Sequence, residues 1–331
     1  MRIGGLDTSE RVVVVAEIGN NHEGDAGLAH EMVAAAAEAG ADVVKFQAID
    51  PRWLVRPDET ARIEQLERFR LSPEQFGALA EQAHGLGVGF ACTAFDLEAI
   101  TWLEPLVDAF KIASGDNDLD ALVAACAHTS RPVIVSMGMT GLEGARHAAQ
   151  VVAAGGAEFA ALHCVSAYPT APEDAGLAQI AVLAQALPDA TIGYSDHTLG
   201  NDACVAAVAC GARILEKHFT LSHDLSDFRD HQLSAEPQEL EALVRRVRQT
   251  ELLVGSVRTG MQDEEDAVAA AARRSIVAGT DLPAAHVIDH GDLWWLRPAD
   301  GMAPGREHEL VGRALTRDVG QGEPLAPEDV A

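Results

Sequence analysis

Short apolar segments alternate with alanine-rich segments through most of this chain. The apolar segments are typical of buried strands and span residues 12–18, 43–47, 89–94, 109–114, 133–137, 159–166, 191–196 and 214–219. The alanine-rich segments predict helices over residues 26–39, 73–86, 97–103, 119–128, 142–154, 175–187, 202–210 and 237–254. Because the predicted strands are apolar throughout, we expect parallel strands that are covered on both faces.

Eight strand–helix units in about 250 residues predict an α/β fold of the (β/α)8, or TIM-barrel, type. An open doubly wound sheet is the alternative, but such a sheet usually carries a G-x-G-x-x-G loop after its first strand. Here the first predicted strand ends in EIGNNHEG, residues 17–24. The barrel is therefore the preferred interpretation.

The pattern changes after residue 257. Residues 258–272 are acidic and alanine-rich, and they predict an exposed linker. Short strands separated by turn residues are then predicted at 275–278, 287–288, 293–296 and 310–314. We therefore predict a barrel domain over residues 1–257 and a small β-rich domain over 273–331. A domain of about sixty residues buries little apolar surface, so we expect it to dock on another surface.

Composition limits the kinds of partner. The 331 residues include 51 acidic and 24 basic side chains, a formal charge of −27, which excludes the basic surface that nucleic acids require. No apolar segment has the length of a membrane span, and the first residues contain no apolar signal region. The five cysteines form no C-x-x-C pair, which favours a reducing, cytoplasmic location.

Lysine is rare in this chain, and its positions are informative. The three lysines are Lys45, Lys111 and Lys217, and each lies near the end of a predicted strand, while arginine supplies the other basic residues. The compact ammonium group of lysine is suited to contacting a phosphate oxygen. Active sites of (β/α)8 enzymes lie at the C-terminal ends of the strands, so we expect a site for an anionic substrate there.

All eight predicted strands carry polar residues at their C-terminal ends. Two cations and four hydroxyls are suited to a phosphate and a carboxylate: Lys45, Thr93, Lys111, Ser114, Ser136 and Ser195. His197 and His218 follow adjacent strands and can offer two imidazole nitrogens to one divalent metal ion. Glu17, Asp116 and Asp230 remain as carboxylates for proton transfer or hydroxyl binding.

Neighbouring residues on a strand point to opposite faces, which restricts the roles of other polar residues. Lys217 precedes His218 and is expected to face away from it, and an ion pair or a helix contact is as much favoured for it as a catalytic role. Asp196 is expected to support a metal ligand rather than to bind metal itself. A thiol–imidazole pair of His163 and Cys164 is disfavoured for the same geometric reason.

The sequence resembles the sialic acid synthases and, more broadly, the phosphoenolpyruvate-dependent nonulosonate synthases. The resemblance rests on seven motifs in this order: AEIGNNHEGD, ADVVKFQ, FKIASGD, PVIVSMGM, LHCVSAYPT, IGYSDHT and EKHFTL. The tail resembles the C-terminal antifreeze-like, or SAF, domain of that family through RRSIVAGTDLPAAHVI, LWWLRPADG and LVGRAL. The resemblance covers nearly the whole chain and implies a TIM barrel followed by an SAF domain.

The resemblance also implies a reaction: phosphoenolpyruvate condenses with the open-chain aldehyde of an N-acylated mannosamine-type sugar, and phosphate is released. Phosphoenolpyruvate would be held by Lys45, Thr93, Lys111, Ser114, Ser136, Ser166 and Ser195, and the sugar by Gln47, Tyr168, Asp230 and Arg297. His197 and His218 would hold Mn²⁺ or Mg²⁺, which polarises the aldehyde, while Glu17 and Asp116 move protons. A domain-swapped homodimer is implied, in which the SAF domain of one protomer covers the barrel of its partner.

Several residues on the sugar side depart from the family pattern. Asp116 stands where glutamate is usual, Ser166 replaces an asparagine, and Arg229 is new in the segment 222–230. The same condensation on another acceptor is therefore an alternative, with a legionaminate, pseudaminate or surface-polysaccharide precursor as substrate. Two further alternatives are a non-catalytic sugar-phosphate-binding protein and an aldolase that forms a Schiff base on lysine.

Overall fold

The computed structural model describes residues 1–331 and contains two compact units, Met1–Gly255 and Ser256–Ala331. The first unit is built on eight parallel strands: β1 (Val13–Gly19), β2 (Val43–Ala48), β3 (Gly89–Ala94), β4 (Ala109–Ile112), β5 (Val133–Ser136), β6 (Phe159–Cys164), β7 (Thr191–Asp196) and β8 (Ile214–His218). Each strand pairs with the next along the chain, and β8 pairs with β1, so the sheet is a closed barrel without an edge. The predicted TIM barrel is confirmed.

Helices cover the outside of this barrel. They are α1 (Ala26–Glu38), α2 (Pro51–Leu54), α3 (Thr60–Arg68), α4 (Pro73–Gly85), α5 (Leu97–Leu103), α6 (Asp120–His128), α7 (Leu142–Gly155), α8 (Gln179–Ala186), α9 (Asp202–Ala209) and α10 (Pro237–Val254). The short helices α2 and α3 were not predicted. Helix α2 begins where the Asp50 side chain accepts from the Arg52 N–H and Pro51 occupies the first turn, an arrangement that favours helix initiation.

The barrel interior has an apolar layer below a polar layer. Inward-facing Val13, Val15, Val43 and Ile214 pack together near the N-terminal ends of the strands, and Ile3 from an N-terminal hairpin packs against them. Two residues further along each strand, the inward positions become polar. A much larger apolar core fills the space between barrel and helices, which explains why the strands read as continuously apolar.

The second unit is small and β-rich. Strands β9 (Ser275–Ala278) and β10 (Leu293–Leu296) pair in antiparallel orientation, and the predicted strand at 287–288 forms an isolated bridge between Val287 and Ala314. This unit has its own apolar core. Residues 258–272, which we predicted as a linker, contain helix α11 (Asp266–Ala272) and cluster with this second unit. No helix in the chain has the length and apolar character needed to span a membrane.

Candidate active site

A polar cavity of about 280 Å³ opens at the C-terminal end of the barrel. Twelve of the fifteen side chains predicted for the site line it: Glu17, Lys45, Gln47, Thr93, Lys111, Ser114, Ser136, Tyr168, Ser195, His197, His218 and Asp230. These residues come from seven of the strands and from loops at their C-terminal ends, and Tyr168 comes from the loop after the remaining strand, β6. Barrel closure brings them together because the inward positions of all eight strands converge on one axis.

Two buried lysines share one buried carboxylate. The Nζ of Lys45 lies 3.5 Å from Glu216 Oε2, and the Nζ of Lys111 lies 3.4 Å from Glu216 Oε1. Burial would raise the pKa of Glu216, but the two ammonium groups outweigh burial and lower this pKa to about 2. Burial lowers the pKa of Lys111, and Glu216 offsets this effect only in part. Glu216 is therefore ionised, and it is the only carboxylate in ion-pair contact with Lys111.

A second carboxylate, Glu17, lies on the other side of Lys45. Its Oε2 is 2.7 Å from Lys45 Nζ, and its Oε1 accepts a 2.7 Å hydrogen bond from Gln47 Nε2. Burial raises the pKa of Glu17 in spite of Lys45. The two carboxylates together raise the pKa of Lys45 against the effect of burial. Glu17 is thus suited to exchanging a proton, and Lys45 to remaining a fixed cation.

The hydroxyls around the lysines are only partly satisfied. Thr93 accepts from Lys45 at 3.2 Å, and the Ser195 hydroxyl donates to Glu216 at 2.9 Å. By contrast, the buried Oγ atoms of Ser136 and Ser166 have no hydrogen-bond partner. A buried hydroxyl without a partner is costly, so an anion that accepts from Ser136 beside Lys45 and Lys111 fits this cavity.

The two imidazoles lie side by side, with ring centroids 5.5 Å apart. His197 Nδ1 lies 2.7 Å from the Val165 carbonyl, which can only accept, so Nδ1 carries the proton and Nε2 has a free lone pair. Burial lowers the pKa of His218 far below its ordinary value, and nearby positive charge on His197 and Lys45 adds to this effect. Burial also opposes protonation of His197, but the Cys164 sulfur and the Val165 carbonyl outweigh it and raise its pKa.

These two histidines fit one divalent metal ion as neutral nitrogen ligands. The Nδ1 hydrogen bond of His197 is the kind of contact that fixes the orientation of a ligating imidazole. No group of three or more His, Cys, Asp or Glu side chains forms a metal site in this structure. A metal bound here would therefore complete its coordination with water and substrate oxygen atoms.

Three predicted site residues do not line the cavity. Asp116 lies in the turn Ser114–Asp116 after β4, half-buried, and its pKa is raised by burial and by Asp118. Ser166 lies just behind the cavity, beside Ser114; a Cβ on Gly138 would collide with both hydroxyls. Arg297 belongs to the second unit, where it follows β10 and is exposed.

Sequence reasoning assigned no role to several residues that line the cavity. Glu216 stands two positions before His218 on the same strand and so faces inward with it. Arg229 lies with its guanidinium 5.2 Å from the centre of the Tyr168 ring, and that ring stacks 4.0 Å from His197. Phe95 and Cys164 complete the wall. Strand alternation could have identified Glu216 and Cys164, whereas the position of Arg229 depends on a loop.

Known proteins resemble this chain over nearly its whole length. The NeuB family model matches residues 32–259, and the SAF domain model matches residues 273–331. The chain is 36% identical to an N,N'-diacetyllegionaminic acid synthase of Legionella pneumophila, over 96% of this chain and 94% of that protein. It is also 36% identical to an N-acetylneuraminate-9-phosphate synthase of Mus musculus, over 96% and 92%.

A solved structure gives the same result. The sialic acid synthetase of Leptospira borgpetersenii superposes with a TM-score of 0.75 at 32% identity, covering 78% of this chain and 90% of that chain. The C-terminal unit, residues 273–331, is accounted for by the SAF domain model. The chain belongs to the NeuB family, the sialic acid synthase family, and carries its C-terminal SAF domain.

Proposed function

We propose that this protein condenses phosphoenolpyruvate with the open-chain aldehyde of an N-acylated amino sugar, giving a nonulosonic acid and phosphate. The observation that carries the proposal is the cluster of Lys45, Lys111 and Glu216 beside the unpartnered hydroxyl of Ser136. Phosphoenolpyruvate carries its phosphate and its carboxylate on the same carbon atom. Two such neighbouring anionic groups suit two cations and several hydroxyl donors in a small cavity. The family membership of the chain agrees with this choice.

The side chains would divide the substrates between two parts of the site. Lys45, Lys111, Thr93 and the serines bind phosphoenolpyruvate, with Ser166 contributing from behind Ser114. Gln47, Tyr168 and Asp230 bind the sugar. Gln47 and Asp230 line both this cavity and a second one of about 680 Å³, and Tyr168 lines the first. That second cavity is lined by polar and aromatic residues, which include Asn20, Arg62, Phe69 and Phe228.

The reaction needs a group that first gives a proton and later takes one back. Carbon 3 of phosphoenolpyruvate attacks the aldehyde carbon, and the acid form of Glu17 gives a proton to the oxygen that becomes a hydroxyl. Its carboxylate then takes a proton from the water that adds to carbon 2. The carbon–oxygen bond to phosphate breaks, and phosphate leaves with the proton of the new hydroxyl. The raised pKa of Glu17 suits both steps, and Asp116 is a second proton carrier for the entering water.

A divalent ion, Mn²⁺ or Mg²⁺, held by His197 and His218 would supply electrophilic activation of the aldehyde oxygen. The surroundings of the two histidines favour the neutral, correctly oriented imidazoles that a metal ion requires. The Val165 carbonyl holds the His197 tautomer, and burial keeps His218 neutral. The Tyr168 ring packs against the His197 ring, with centroids 4.0 Å apart and the planes inclined by 35°.

The acceptor sugar is the open part of the proposal. N-acetylmannosamine is the first choice, and the likeness to an N,N'-diacetyllegionaminic acid synthase makes a diacylated amino sugar the second.

We further propose a homodimer and a cytoplasmic location. The location is in keeping with cysteines that are all unpaired. A Schiff-base aldolase is disfavoured at two of the lysines, since Lys45 is held as a cation and Lys217 does not line the cavity. Lys111 is then the lysine on which an adduct would form.

The decisive experiment measures phosphate release from phosphoenolpyruvate with Mn²⁺ and a panel of N-acylated amino sugars. We expect release that needs one sugar and is abolished by EDTA, together with a nonulosonic acid product. Phosphate release that needs no sugar would contradict the proposed function. So would the absence of phosphate release with every sugar while phosphoenolpyruvate binds. Borohydride reduction in the presence of substrates should trap no lysine adduct; a trapped adduct would instead indicate an aldolase.

We predict that Arg297→Ala raises the KM for the sugar about tenfold or more and changes the KM for phosphoenolpyruvate little. The reason is the implied role of this arginine, in LWWLRPADG, in contacting the acyl group of the sugar; loss of a charge-assisted hydrogen bond is worth about 1.5–3 kcal/mol. Steady-state kinetics with each substrate varied in turn measure both constants. Arg313→Ala, in the same unit, is the control. Equal increases in both KM values would contradict the assignment.

A further inference from the structure

A buried ion pair lies on the outer face of the barrel wall, between β7 and β8. Lys217 and Asp196 stand directly opposite each other in the pairing of these strands. The Nζ of Lys217 is 2.8 Å from Asp196 Oδ2, and the two side chains are at most 1% exposed. The same Nζ donates to the carbonyl oxygen of Thr198 at 2.6 Å. The third lysine of the chain is therefore used, but outside the cavity.

The carboxylate of Asp196 is fully engaged as an acceptor. Its Oδ1 accepts from the Tyr194 hydroxyl at 3.0 Å and from the backbone N–H of Thr198 at 2.8 Å. Its Oδ2 accepts from the thiol of Cys204 on helix α9 at 3.3 Å, in addition to Lys217. The network thus joins the end of β7, the turn that follows it, strand β8 and one covering helix.

This network lies directly behind the two imidazoles. His197 follows Asp196, and His218 follows Lys217, so each imidazole is one residue beyond a member of the pair and points into the cavity. The turn carrying His197 is also held by a hydrogen bond from Thr170 N–H to the His197 carbonyl, at 2.9 Å. The cross-strand pair therefore fixes the relative placement of the two backbone segments from which the imidazoles project.

Stability alone gives no reason for such a pair. Removing two charges from water costs several kcal/mol for each ion, and well-packed apolar residues often serve a fold equally well at such positions. The other strands of the barrel have apolar residues on the outer face at the corresponding level, such as Phe46 and Ile112. The one ion pair that joins outward-facing residues of two barrel strands lies behind the histidines, which indicates a function of placement.

We propose that Lys217 and Asp196 are positioning residues that set the separation and orientation of His197 and His218, so that one divalent ion can bind to both. This inference rests on the metal site of the proposed function. It assigns the third lysine a role that neither phosphoenolpyruvate binding nor proton transfer requires. Neither residue of the pair lines the cavity.

The test measures Mn²⁺ binding without turnover. Titration of each variant with Mn²⁺, followed by the electron paramagnetic resonance signal of the free ion, gives the dissociation constant. Lys217→Met leaves Asp196 as a buried unpaired charge and is expected to lose stability, so the double variant Lys217→Met with Asp196→Asn is measured beside it. We expect both to bind Mn²⁺ about tenfold or more weakly, the usual effect of removing a group that orients a ligand.

The matched control is Arg248→Met. Arg248 forms an ion pair with Asp42, at 2.6 Å, near the N-terminal ends of the strands and far from the histidines. We expect this variant to lose stability and to bind Mn²⁺ as the wild type does.

Two outcomes would overturn the inference while leaving the metal site intact: wild-type Mn²⁺ affinity in the double variant, or equal weakening in Arg248→Met, which would reflect a general loss of stability. Wild-type protein that binds no Mn²⁺ would remove the proposed metal site, and the positioning role with it.

Discussion

His218→Ala is expected to lower kcat by about a thousandfold or more while the protein remains folded. His218 is one of only two imidazoles that fit a metal ion here, and loss of electrophilic activation is worth several kcal/mol of transition-state stabilisation. The buried ring leaves a small void, so we expect the Tm to fall by a few degrees. Phosphate release with saturating substrates and Mn²⁺ measures the first effect, and circular dichroism on heating measures the second.

His163→Ala is the matched control for this experiment. His163 is equally buried, at 8% exposure, at the end of β6, but its Nε2 lies 2.7 Å from the Ala175 carbonyl and it does not line the cavity. We expect this variant to retain most of the wild-type turnover. If both variants retain full turnover, the ligand assignment is wrong; if both lose it equally, the loss reflects damage to this end of the barrel.

Glu216→Gln is expected to move the alkaline limb of the pH profile of kcat/KM for phosphoenolpyruvate to lower pH, by about one unit or more. Lys111 must be protonated to bind the anion, so kcat/KM falls as the pH rises through the pKa of Lys111 in the free enzyme. Burial already lowers this pKa, and Glu216 opposes the effect. Removal of the Glu216 charge therefore lowers the pKa further, and binding is lost at a lower pH.

Ser195→Ala separates the charge of Glu216 from its hydrogen bonding. This variant removes the 2.9 Å hydrogen bond to Glu216 but keeps the carboxylate charge, so its alkaline limb should move much less. A profile for Glu216→Gln that declines over the same pH range as wild type would show that Glu216 does not set the protonation of Lys111. An acidic limb near pH 2 from Glu216 itself lies outside the working range, since its pKa is about 2.

The fold could be predicted well because each local signal agreed with the closed barrel. All eight strands were placed correctly to within two residues, since each is apolar on both faces and is separated from the next by a helix-length segment. The region between β2 and α4 could not be predicted in the same way. Helix α3 (Thr60–Arg68) has one buried residue, Leu66, and its sequence contains few apolar residues, so it lacks the alanine-rich composition on which the other helix predictions were based.

Most residues of the candidate site could be predicted from the sequence, but the ion pairs among them could not. Polar residues at strand ends pointed to Lys45 and Lys111, and the spacing of β7 and β8 brought the histidines together. The contact of Lys111 with Glu216 crosses the barrel interior between β4 and β8, which are not neighbours in the sheet. Only the closed three-dimensional structure shows that one carboxylate serves both lysines, because no sequence spacing encodes a distance across the barrel.

The burial of all three lysines also determines how this protein can be handled at the bench. Lys45, Lys111 and Lys217 are 1–3% exposed, so amine-directed cross-linkers, fluorophores and surfaces meet no lysine on the folded molecule. Attachment has to use the abundant carboxylates or Cys210, the one exposed thiol. Conversely, a slow acylation at Lys45 or Lys111 would report directly on opening of the cavity.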